Sequence, residues 1–187
     1  DLGAHIGTFA LRCAKEKNCI VYSYEPCRRN FQFLLQNIKL NNLENKIKVF
    51  NQAVAGNSGT RKMYFRPKVP HASSLYETEE EIEEELVQCK TLKDVFEENS
   101  ILHCHVLKMD CEGAEKEILT SEFTPYLKRV DWIMLEWHDS EQHDSYGRKY
   151  VDFLKQIGFS SIELTGDGFT RGMVYARNYQ PPASISS

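Results

Sequence analysis

The chain is 187 residues long, which is the span of one domain. Apolar residues make up 41% and charged residues 27%, an ordinary globular composition that excludes disorder. The formal charge is −4. Seven glutamates crowd Glu77–Glu85 and account for the acidity, so no basic face is left for a phosphate backbone and a nucleic-acid partner is not expected.

No apolar run approaches the roughly 20 residues that cross a bilayer as a helix. The six cysteines contain no C-x-x-C pair, and a core of this size needs no disulfides. They read as free thiols in a reducing compartment such as the cytoplasm.

In chain order, residues 8–17 form a helix and Cys19–Tyr24 a strand ending at Glu25-Pro26. Residues 27–40 form an amphipathic helix with Phe31, Leu34, Leu35 and Ile38 on one stripe. Residues 47–50 begin another strand, and the turn at Gly56–Gly59 leads into residues 61–65, expected as its hairpin partner. Residues 66–76, with Pro67 and Pro70, read as a loop, and the glutamate run as a solvated helix. Thr91 is placed to cap a helix reaching Asn99.

A strand at 106–109 ends on Asp110, a helix follows from about Ala114 to Ser121, and a strand at 132–135 ends on Glu136. A helix over 148–157 stops at Gly158, and strands at 161–164 and 173–177 flank Gly166-Asp-Gly168. Residues 1–180 read as one domain and 181–187 as a loose tail. Alternating strands and helices imply a mainly parallel sheet covered on both faces, finished by an antiparallel pair.

In such sheets ligands sit beyond the carboxyl ends of the strands, where Glu25, Asp110 and Glu136 fall. Gly3 and Gly7 in the stretch Asp1-Leu-Gly-Ala-His-Ile-Gly7 allow a tight turn close to a ligand, although G-x-G-x-x-G is absent. Glu25, 18 residues after Gly7, is placed to accept hydrogen bonds from two ribose hydroxyls.

The segments Asp-Leu-Gly-Ala-His-Ile-Gly-Thr-Phe (1–9), Tyr-Glu-Pro (24–26), Asn-Phe (30–31) and Leu-Lys-Met-Asp-Cys-Glu-Gly-Ala-Glu (107–115) resemble the FkbM family of methyltransferases. So do Gln-Ala-Val (52–54), Ser-Ser-Leu (73–75), Thr-Leu (91–92) and Leu-Glu-Trp-His (135–138). The resemblance implies a class I, Rossmann-like three-layer α/β fold with an antiparallel C-terminal strand. It also implies S-adenosylmethionine as donor and O-methylation of a small molecule or sugar.

Carried onto this chain, the resemblance puts Asp1, Gly3, Ala4, His5 and Gly7 around the donor's methionine portion. It puts Glu25 on the ribose, Ala53 beside adenine, and Asp110 on the methionine or substrate side. His5 stands where the family often has Asn. In a class I sheet a central strand delivers Asp1 between the strands ending at Glu25 and Asp110. No such strand precedes Asp1 here, so the sequence reads as part of a longer chain.

Transfer to a hydroxyl requires removal of its proton. His138, beside Glu136, is a base candidate by its ordinary pKa near 6.5, and equally a surface histidine paired with Asp139 or Glu136. Glu112 is a substrate or orienting contact, whereas Glu115 reads as a carboxylate favoured at a helix start. His71, Ser73 and Ser74 are substrate contacts by family likeness.

No metal is expected. Asp110 and Glu136 have no evident third oxygen ligand. His103 and His105, on one face of a strand with Cys104 on the other, have no further ligand at suitable spacing. The alternative functions are a nicotinamide oxidoreductase, disfavoured by the missing glycine pattern and the antiparallel finish, and a non-catalytic nucleotide-binding scaffold.

Overall fold

The computed structural model describes residues 1–16, 18–65, 73–74, 83–138, 146–166 and 171–178. The chain runs α1 (Thr8–Glu16), β1 (Val21–Tyr24), α2 (Arg28–Leu40), β2 (Ile47–Phe50), β3 (Ala53–Val54) and β4 (Gly59–Phe65). Next come β5 (Ser73–Ser74), β6 (Glu83–Lys90), α3 (Leu92–Glu98), β7 (Cys104–Met109) and α4 (Glu115–Ile118). A 3-10 turn at Ser121–Phe123 leads to α5 (Thr124–Leu127), β8 (Val130–His138), α6 (Tyr146–Gln156), β9 (Phe159–Gly166) and β10 (Arg171–Asn178).

The main sheet is mostly parallel and turns antiparallel at its end. β1 pairs with β2 and β7 with β8 in parallel, whereas β10 runs antiparallel between β8 and β9. Leu2 joins the two halves. It bridges in parallel to both Tyr24 and Met109, its amide donates to Lys108 O at 2.9 Å, and Asp110 N donates to Leu2 O at 3.0 Å. Asp1 is thereby set between the strands ending at Glu25 and Asp110.

Both faces of this sheet are packed. On one, Ala10 and Ala14 of α1 and Leu34 and Ile38 of α2 bury against Val21 and Ile47. On the other, Leu92, Phe96, Ile118, Leu127 and Leu154 bury against Tyr24, Leu107, Ile133 and Val174. Each such Leu or Ile contributes about 1.5–3 kcal/mol. Period-two alternation makes the three layers: Val21 faces one cluster, Tyr22 and Tyr24 the other.

The expected hairpin between β2 and β4 does not form. β4 pairs antiparallel with β6, and β6 in parallel with β3, giving a small second sheet in the order β3-β6-β4-β5. β2 is already held by β1, while Met63, Val87 and Cys89 need burial beside Cys27, Ala53 and Ala55. Residues 83–85 of the glutamate run are therefore strand rather than helix, with Glu84 paired to Lys62 at 2.8 Å. Ladder bonds and buried neighbours override the helix preference of glutamate. Residues 77–82 lie outside the described residues.

Helix α4 is one turn long, shorter than the sequence suggests, and α5 is an element the sequence did not reveal. Thr91 caps α3 with a reciprocal pair: its hydroxyl accepts from Asp94 N at 3.1 Å, and Asp94 Oδ2 accepts from Thr91 N at 2.8 Å. No helix among the described residues is long and apolar enough to cross a membrane.

Candidate active site

A cleft of about 850 Å³ opens at the carboxyl ends of β1, β7 and β8. Gly3, Ala4, His5, Glu25, Asn30 and Ala53 line it on the β1 side, and Lys108, Asp110, Glu112, Glu136, His138 and Arg171 towards β8. Glu136 and His138 stand two residues apart within β8, His138 opposite Arg171 of β10, rather than past the strand tip as the sequence suggested.

The first loop is shaped by close approach. Gly3 has φ +72°, and a Cβ there would stand 1.7 Å from Asp110 O, so only glycine lets the loop cross the end of β7. His5 also takes positive φ, at 52°, where Asn is commonly found. Its backbone N–H donates to Glu25 Oε2 at 2.7 Å. Gly7 is needed for packing: at φ +94° an added Cβ would meet Leu34 Cδ1 of α2 at 2.5 Å.

Asp1 and Gly7, expected around the donor, are not on the cleft wall. The Asp1 side chain is wholly buried, and among the described residues neither oxygen has a hydrogen-bond donor. Its neighbour is Lys108, whose Nζ lies 3.5 Å from Asp1 Oδ1 and from Asp110 Oδ2 and donates to Gly3 O at 2.8 Å. One cation thus offsets two carboxylates and pins the loop.

Glu25 is buried, and each of its oxygens already accepts one amide, Oε2 from His5 and Oε1 from Cys27 N at 2.9 Å. Burial pushes its carboxyl upward, against the pull of those amides, the Asn30 side chain and the Lys108 charge. With Asn30 as a third donor, the carboxylate keeps about one lone-pair site for a further donor.

The β8 side gathers charge. His138 Nε2 is 3.6 Å from Glu112 Oε2 and 3.8 Å from Glu136 Oε1, and Nδ1 is 3.7 Å from Glu115 Oε1. Burial pulls the imidazole down, but Glu115, Glu112 and Asp110 outweigh it and raise His138 to about 9. Glu112 is pushed up to about 7 by burial, His138 opposing and Asp110, Glu115 and Glu136 adding to the rise. At neutral pH the histidine is therefore an imidazolium with no lone pair for a proton, while Glu112 titrates.

The loop holding Glu112 is bent by Glu115. That carboxylate is wholly buried and accepts from Cys111 N at 2.6 Å and Gly113 N at 2.8 Å. Glu112 and Gly113 both adopt positive φ, 50° and 104°. Glu115 thus does more than favour a helix start. Cys111 also lines the cleft, but burial and Glu115 hold its thiol well above the usual range, so it is no thiolate nucleophile.

The third ligand that the sequence did not show beside Asp110 exists in space, since donor atoms of Asp110, Glu112 and His138 lie within 4.8 Å of one another. Lys108, Asn30 and Arg171 are cleft residues that the sequence reading gave no role. A lysine inside the apolar strand Val106-Leu-Lys-Met109 was the available signal for the first. His71 and Asp139 lie outside the described residues, as do the side chains of Ser73 and Ser74.

Comparison with known proteins follows the same lines. The Methyltransferase FkbM domain matches residues 1–161. Methyltransferase sdnD of Sordaria araneosa is 25% identical over 75% of this chain and 66% of its own length. Methyltransferase 1 of Beauveria bassiana is 23% identical over 75% of this chain and 64% of its own. The chain thus spans about two thirds of these relatives. A tRNA (guanine(37)-N(1))-methyltransferase of Batrachochytrium dendrobatidis is 45% identical over 51 residues, only 11% of its length.

Among solved structures, the FkbM methyltransferase of Methylobacillus flagellatus superposes with a TM-score of 0.58 at 19% identity, covering 94% of this chain and 42% of that one. The N-terminal domain of human METTL16 in complex with SAH gives 0.54 at 14% identity, covering 96% and 60%. These likenesses establish a class I methyltransferase fold.

Proposed function

Because the chain belongs to the FkbM methyltransferase family, we propose that it carries a methyl group from S-adenosylmethionine to a hydroxyl of a small molecule or sugar. The observation carrying this reading is one cleft with an amide-held carboxylate at one side and a titratable carboxylate beside an imidazolium at the other.

The residues fit such a donor. Glu25, with three donors already on it, keeps capacity to accept from a ribose hydroxyl, Ala53 is small enough to leave room for a flat ring, and Asp110 offers negative charge to an ammonium group. Asp1 acts from off the wall, by holding Lys108. When bound, the donor supplies an electrophilic methyl group on a sulfonium sulfur. The protein's share is to align an oxygen with it and exclude water.

An acceptor hydroxyl must lose its proton as its oxygen bonds to carbon. Glu112 is suited to take it, being ionised for part of the time at neutral pH. The base role weighed for His138 passes to Glu112. His138, charged and flanked by Glu136, keeps these carboxylates from repelling one another and can donate to the acceptor.

A nucleic-acid acceptor is the second reading, favoured by the 51-residue likeness to the tRNA methyltransferase. Asp110, Glu112 and Glu136 on one wall disfavour a phosphate backbone. A transfer assay with methyl-labelled donor against sugar, hydroxylated small-molecule, peptide and RNA pools decides. Label in the first two supports the proposal; label confined to RNA or peptide overturns it.

A further inference from the structure

Far from the cleft, at the amino-terminal edge of the main sheet, three side chains converge that the reaction does not use. His103 and His105 flank the start of β7, and their rings meet edge to face with centroids 4.8 Å apart. The pairs Cys104–Val130 and Val106–Trp132 bracket His105 and Asp131, which brings Asp131 of β8 to the same spot. Asp131 Oδ1 lies 2.8 Å from His103 Nε2. Donor atoms of all three residues fall within 4.8 Å of one another.

We infer that His103, His105 and Asp131 form a binding site for a divalent transition-metal ion, with Zn²⁺ the best match. Two imidazole nitrogens and one carboxylate oxygen suit zinc, nickel or copper, whereas calcium and magnesium want several oxygens. Bonds of about 2.0–2.2 Å in a tetrahedron hold neighbouring donors roughly 3.3–3.5 Å apart. The spread here closes to that by side-chain rotation, because His103 and Asp131 are 47% and 33% exposed in their side chains. Water would complete the shell from the solvent side.

The strand pairing supplies the ligand that the His-Cys-His run lacked. Asp131 is 26 residues further along, a spacing that no contiguous motif reveals. The ion would clip β7 to β8, the strands that carry Asp110 and Glu136 at their other ends. His105 and Asp110 are five residue steps apart along the chain, about 17 Å at ~3.3 Å each. The site is thus distinct from the cleft.

Zn²⁺ alone, titrated into the chain and followed by calorimetry, is the probe, with Cu²⁺ paramagnetic resonance reporting nitrogen ligation. His105→Ala and Asp131→Asn should each weaken the tightest Zn²⁺ site by at least the roughly 10–100-fold typical of residues that only support a ligand. Both should also lose the metal-induced rise in melting temperature, with circular dichroism and methyl transfer without metal unchanged. Wild-type zinc affinity retained by both variants overturns the site, as does the absence of a second copper-bound nitrogen in the unaltered chain. So does failure of the folded wild type to take up zinc at micromolar concentration.

Discussion

The two sides of the cleft are built on different physics. On the β1 side the contacts are backbone ones: His5 N and Cys27 N grip Glu25, and Gly3 passes against Asp110 O with no room to spare. On the β8 side the contacts are between charges, with Glu112, Glu115 and Glu136 around one half-buried imidazolium. Backbone contacts fix a shape regardless of pH; clustered charges shift proton affinities and leave one group poised to titrate. Binding and proton transfer are separable on these grounds, and substitutions can test that division.

The largest effect should come from Gly3→Ala. Its Cβ meets a carbonyl oxygen at 1.7 Å in left-handed backbone, and the oxygen belongs to the end of a central strand. Denaturant unfolding should show a loss of at least about 4 kcal/mol, the range reserved for severe backbone or core conflict. A loss below 1 kcal/mol would mean that the loop is not locked as described.

Glu112→Gln strikes the other side. The amide cannot take a proton, so kcat should fall by about 10²–10⁴-fold while S-adenosylhomocysteine affinity stays within a factor of two or three. The pH profile gives the sign. Because Glu112 is raised to about 7, activity falls as pH drops through 7 rather than near 4.5. Because His138 is raised to about 9, the imidazolium and its contribution are lost above that pH. Both limbs belong to the cluster as a whole, and Glu112→Gln should flatten the acid limb. An acid limb unchanged in that variant would assign the base elsewhere.

Glu25→Gln should be milder and of the opposite kind. One amide hydrogen of the new side chain must face the N–H of His5 or Cys27, leaving a buried donor unmatched at about 1–3 kcal/mol. Calorimetry should show S-adenosylhomocysteine affinity down by roughly 10–100-fold, with the pH profile kept. A change in pH profile without a change in affinity would break the division between the two sides.

This division also explains what was legible in the sequence. The places of Gly3 and Glu25 on the cleft wall were readable because short-range geometry sets them, a turn and a strand end, whereas Ala53 was reached through the family resemblance. The alternation of strands and helices with an antiparallel finish was readable for the same local reason. The proton affinities of His138 and Glu112 were not, because Glu115 and Asp110 act on them through folded space and burial. The β4–β6 pairing and the His103–His105–Asp131 cluster escaped notice likewise, since each depends on a strand many residues away.

The smallest effect, and the sharpest test of the backbone-built side, is His5→Asn. His5 gives Glu25 its amide, at 2.7 Å and with φ of 52°. Asn adopts left-handed backbone more readily than most residues, because its short polar side chain bonds locally. The variant should keep S-adenosylhomocysteine affinity within about twofold and stability within about 0.5 kcal/mol, as for substitutions outside the few severe mechanisms. By contrast His5→Val puts a β-branched residue at positive φ and should weaken both, since strain of about 1–3 kcal/mol tilts the amide away from Glu25. If Asn cost as much as Val, the imidazole itself would be a donor contact, and this side of the cleft would depend on side chains after all.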